Sequence, residues 1–135
     1  MYISDMELEI YSYDDFRVYL RDLFEVRKKI DPQFSHRRFA ELAGVRNPGT
    51  LVDIIQGRRA LSRKVCEACV RIFDLKPQQA EFFRLLVEYG QERNPDLRAK
   101  IWREIQNRRA RSNFVRLNAA QVRYYEDHTY ALVLA

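Results

Sequence analysis

The chain has 135 residues, 47% of them apolar, with eight Tyr, eight Phe and one Trp but only four Gly and four Pro. That length can bury one core without disulfides, and the scarcity of turn formers excludes a turn-rich all-β protein, so helices are expected. The formal charge is +5; no run approaches the roughly 18 consecutive apolar residues of a membrane span, and MYISDMELEI lacks a basic-then-apolar leader, so the sequence predicts a soluble cytoplasmic protein with no membrane partner.

Tyr13, Phe16, Leu20, Leu23 and Phe24 recur at helical spacing, with Asp14 placed to cap the start, and predict a first helix running to about Ile30. Asp31-Pro32 ends it, because the residue before proline is pushed out of the α region. In FSHRRFAELAGV, Ser35 is a cap, Phe34 and Phe39 stand at the positions of a hydrophobic staple, and Gly44 sits where a left-handed C-terminal residue is wanted. Asn47 followed by Pro48 reads as cap and first helical residue of a third helix, whose stripe is Leu51, Ile54 and Ile55 and whose stop is Gly57. Ser62 caps a fourth helix, with Val65, Cys69, Ile72 and Phe73 on one side, ending near Leu75.

Pro77 opens a fifth helix in which Phe82, Phe83, Leu85, Leu86, Val87 and Tyr89 occupy so much of the circumference that both flanks must be covered. After Asn94-Pro95, a sixth helix carries Leu97, Ile101, Trp102 and Ile105 and is expected to fray in the acid-free run RRARSNFVR. A last helix should start at Asn118, with Gln121 completing a capping-box pattern and Val122, Tyr125 and Tyr130 as its apolar members. The apolar end ALVLA should pack back on the domain or join a partner subunit.

Charge is unevenly placed. Residues 1–35 carry five Lys or Arg against eight Asp or Glu, net −3; residues 36–76 carry nine against four, net +5; the remainder carries ten against seven, net +3. A polyanion is the natural partner for the basic part, since cations placed against phosphates supply most sequence-independent duplex affinity. An ordinary solvated surface is the alternative.

Two short helices joined by the tight turn Ala43-Gly44-Val45, with a basic link and a further helix after them, form the arrangement that lets a helix lie in a major groove. Helical hairpins with glycine turns also occur in bundles that bind nothing. On the groove reading, Asn47, Gly49 and Thr50 face base edges or phosphates, with Asp53 and Gln56 further along. His36, Arg37 and Arg38 would point at the phosphate backbone, and Arg46, Arg58, Arg59, Arg63 and Lys64 would flank the same surface.

YDDFRVYLRDLFEVRKK, FSHRRFAELAGV and IIQGRRALS resemble the N-terminal half of a bacterial paralogous family of transcriptional regulators, in which a lambda-repressor-like helix-turn-helix precedes a domain of unknown function. The resemblance extends to Phe82, Tyr89 and the segment from Gln121 to Tyr125. Members are about twice as long, and this chain ends near where their second, winged-helix-like part starts. The pattern departs at Asp53, where relatives carry a polar or basic side chain, and at Pro48, where Gln or Ser is common. An acid on the groove face repels phosphate, although it could accept from a cytosine amino group.

The expectation is therefore an all-α chain, one helical domain over residues 1–135: an N-terminal support helix, a lambda-repressor-like helix-turn-helix bundle over 35–75, and a C-terminal helical extension over 77–135. Duplex DNA is the expected partner, and a homodimer would double the contact area. The rival is a protein-interaction module that kept the scaffold and lost base reading; an RNA-binding reading predicts preference for single-stranded loops. Cys66 and Cys69 lie inside a helical pattern with only His36 and His128 elsewhere, which fits small core residues better than zinc or redox chemistry. No phosphate loop, nucleophile motif or paired-carboxylate pocket is evident, so no enzyme activity, cofactor or small-molecule ligand is expected.

Overall fold

A computed structural model describes residues 8–134, and side chains for 8–113 and 115. The expectations for the side chains of Val122, Tyr125, Tyr130 and the ALVLA end lie outside the described residues. Among the described residues all regular structure is helical: a 3-10 turn (Ile10–Ser12), then α1 (Phe16–Ile30), α2 (His36–Ala43), α3 (Thr50–Ile55), α4 (Arg63–Ile72), α5 (Pro77–Gln91) and α6 (Pro95–Leu134). No helix among them is long and apolar enough to cross a membrane.

The cap of α1 is Asp15, whose side chain accepts from Arg17 N at 2.8 Å, not Asp14. Tyr13 belongs to the segment that closes the preceding 3-10 turn, and the helix begins one residue later than a cap at Asp14 would place it. Ser35 and Ser62 cap α2 and α4 as their sequences imply, accepting from Arg38 N and Val65 N.

Three successive helices stop in the same way. At the end of α2, Gly44 is left-handed at φ 73°, its N–H donates to Glu41 O, and Val45 N donates to Ala40 O at 3.0 Å. At the end of α3, Gly57 has φ 81°, with Gly57 N on Ile54 O and Arg58 N on Asp53 O. At the end of α4, Asp74 takes φ 52°, with Asp74 N on Arg71 O and Leu75 N on Val70 O. Each pair of bonds satisfies carbonyls that the helix leaves open and turns the chain sharply.

One contiguous buried cluster runs from Ile10 to Ile105. Phe34 and Phe39, the residues of the expected staple, both pack on Phe73 with centroids 6.0 Å away, and Phe24 lies tilted against Phe34 at 5.4 Å. α5 is covered on two sides, by α1 and by α6, which buries Phe82, Phe83, Leu86 and Val87. A Cβ on Gly90 would lie 2.8 Å from the Phe16 ring, so glycine is what lets α5 approach α1 there.

The expected fraying near residue 110 and the separate last helix do not occur: α6 is continuous across RRARSNFVR and through Asn118. Neither glycine nor a second proline interrupts residues 96–134, arginine and alanine are good helix formers, and the Arg108–Glu104 pair at i,i+4 spans the start of the basic run. Forty residues make a rod about 60 Å long. Arg109 fastens it to the start of the fold, donating to Tyr11 O (2.8 Å), Tyr13 O (2.7 Å) and Asp14.

Candidate nucleic-acid interface

The edge made by α2, the turn after it, α3 and the link to α4 carries the residues singled out in the sequence. α3 is short. Asn47 does not cap the helix directly: its Oδ1 accepts from Gly49 N at 2.8 Å, and its carbonyl accepts from Thr50 N and from Thr50 Oγ1, so Pro48 and Gly49 form a turn and the helix starts at Thr50. Leu51 and Ile54 then anchor the inner face, both fully buried.

Thr50 corrects the expectation of a groove-facing hydroxyl. It is only 2% exposed. Its four-residue spacing to Ile54 puts it on the buried stripe, and its hydroxyl is satisfied by Asn47 O. The outward positions are Asn47, Gly49, Asp53 and Gln56, of which Asn47 and Gln56 are exposed and the other two half-buried.

His36 is a second correction. Its ring lies flat on Phe24, centroids 4.1 Å apart, and its Nδ1 is buried with no hydrogen-bond partner among the described residues. Burial, then the nearby Lys28 charge, pushes its pKa below the ordinary histidine value. A neutral ring used for packing is poorly suited to meet a phosphate.

The cations divide by what they touch. Lys64 Nζ donates to Gly44 O at 3.1 Å and so closes the α2–α3 turn from α4. Arg71 reaches Leu42 O at 3.1 Å at the end of α2, and Arg27 reaches Ile72 O at 2.8 Å at the end of α4. Arg17 of α1 donates to Ile54 O and to Arg59 O, clamping the end of α3. These contacts put positive groups where helix dipoles are negative. Sequence reasoning did not single out Arg17 or Arg71 for this; their partners lie 37, 42 and 29 residues away, so no local spacing marks them.

Arg38 pairs with Glu41 at 3.2 Å, both exposed, and Arg58 pairs with Asp53 at 2.7 Å. Arg58 also donates to Gln56 Oε1. The acid that looked misplaced on the groove face is thus covered by a guanidinium. Arg37, Arg46, Arg59 and Arg63 are exposed, and the side chains of Arg37, Arg46 and Arg59 have no hydrogen bond or ion pair among the described residues.

Elsewhere Cys66 and Cys69 are buried in the core, and burial pushes the Cys66 thiol up to about 11 and Cys69 in the same direction. Among the described residues no three His, Cys, Asp or Glu side chains gather in a way that could hold a metal ion. A cleft of about 620 Å³ beside α4 and α5 is lined by Cys66, Glu67, Arg84 and Gln91. Two of its charged side chains, Arg84 and Glu67, are paired with each other, and the Arg84 hydrogen bond holds the Glu67 carboxyl below the ordinary carboxylate value.

No family model, curated protein or solved structure matches this chain. The functional reading therefore rests on the α2–α3 edge.

Proposed function

We propose that this chain is a cytoplasmic, non-enzymatic transcriptional regulator that binds duplex DNA, with α2 and α3 acting as a lambda-repressor-like helix-turn-helix. In this reading α3 lies in the major groove, arginines on the flanking segments meet phosphates, and two copies pair to double the contact. The observation that carries it is the support of α3. Leu51, Ile54 and the Arg17 clamp hold its inner side, while Asn47, Asp53 and Gln56 stay at least partly outside among exposed arginines.

Selection from a random duplex library tests the reading. The expected result is enrichment of particular sequences bound well below the non-specific range of about 10⁻⁴ to 10⁻⁶ M at physiological salt; binding confined to that range with no enrichment would overturn it. The second reading, a protein-interaction module on the same scaffold, is favoured by two observations: Thr50 is withdrawn from the outer face, and Leu42 of α2 is 38% exposed.

A further inference from the structure

The left-handed Gly57 reverses the chain at the end of α3, and the bond from Arg58 N to Asp53 O, 2.8 Å, lays residue 58 back against the helix it has just left. The side chain is then gripped as well. Asp53 Oδ1 accepts from Nη2 at 2.7 Å and from Nε at 3.1 Å, and Gln56 accepts from Nη1. A guanidinium has five N–H donors. These contacts occupy three, leaving one on each terminal nitrogen, on a side chain that is 59% exposed.

Two N–H groups on adjacent nitrogens are the donor pair that matches O6 and N7 of guanine in the major groove. A fork already held at its backbone and at its inner edge loses little rotamer freedom on contact. At the other end of α3, Thr50 is buried and the Asn47 side-chain oxygen, Oδ1, is held by Gly49 N–H. Pairing with Arg58 also offsets the charge of the acid on this face.

We infer that Arg58 is the specificity-determining residue of the interface, that guanine is the base it reads, and that Asp53 and Gln56 are its positioning residues. This rests on the duplex-binding reading above. Random-duplex selections are run in parallel on the unaltered chain, Arg58→Lys and Asp53→Asn, with circular-dichroism melting to establish that each is folded.

The unaltered chain is expected to enrich guanine at one position of its site. Arg58→Lys keeps the charge and the salt dependence but loses the bidentate fork, so discrimination at that position falls roughly 5- to 150-fold; Asp53→Asn falls between the two. If Arg58→Lys enriches the same guanine as strongly as the unaltered chain does, or weakens all sequences equally as a phosphate contact would, the inference is overturned while duplex binding stands. If the unaltered chain selects no sequence, both fail.

Discussion

Around α2 and α3 the cations that brace the fold bond to neutral carbonyls: Arg17 to Ile54 and Arg59, Lys64 to Gly44, Arg71 to Leu42. Along α5 and α6 the bracing cations meet carboxylates instead: Arg84 on Glu67, Arg108 on Glu81 and Glu104, Arg111 on Glu104. Arg58–Asp53 and Arg38–Glu41 are exceptions on the first side, and Arg98, which donates to Tyr89 O, is one on the second. A carboxylate cancels the charge it binds. A carbonyl orients a cation and leaves its charge in place. The α2–α3 edge therefore keeps positive charge that its bracing contacts do not cancel, as contact with a polyanion requires.

Arg109 combines both kinds of contact, with its charge on Asp14 and its other bonds on Tyr11 O and Tyr13 O. Arg109→Ala should lower stability by about 2 to 3 kcal/mol, because two carbonyls lose a charged donor. Denaturant midpoints measure this, and the duplex affinity of the folded fraction should not change. A loss of affinity at unchanged stability would mean that the α6 side also contacts DNA.

The effect expected at His36 is smaller. Its folded pKa is lowered, so the unfolded chain binds the proton more readily. Its contribution is therefore intact above the unfolded value of about 6.5 and is lost as the pH falls from there through the folded value. Unfolding midpoints between pH 8 and pH 5 should decline more steeply for the unaltered chain than for His36→Gln. Equal slopes would mean that protonation of this ring costs the fold nothing.

Much of the fold was legible because local rules wrote it. Ser35, Gly44, Gly57, Ser62 and Pro77 act where their chemistry predicts, and the apolar stripes chose the buried faces. Asp74 was not legible as a left-handed stop, since aspartate enters that region only occasionally. The run RRARSNFVR misled because lack of acids is not a helix stop; the relevant partners, Glu81 and Glu104, lie outside it. At the interface, the sequence located the edge but misjudged individual side chains. Thr50 turned inward, His36 lay down on Phe24, and Asp53 found Arg58. For Thr50 the four-residue spacing to Ile54 was a local signal that went unused; for His36 and Asp53 the deciding neighbour came from tertiary geometry or from the turn after the helix, which periodicity does not reveal.

The central claim is that uncancelled positive charge on the α2–α3 edge meets phosphate. Duplex affinity measured against salt concentration, for the unaltered chain and for Arg37→Ala/Arg46→Ala/Arg59→Ala, tests it directly. The account predicts that the triple variant folds normally, binds every sequence more weakly, and has a log–log salt slope shallower by roughly 2 to 3, since each phosphate contact contributes about 0.9. An unchanged slope in a folded variant would contradict it.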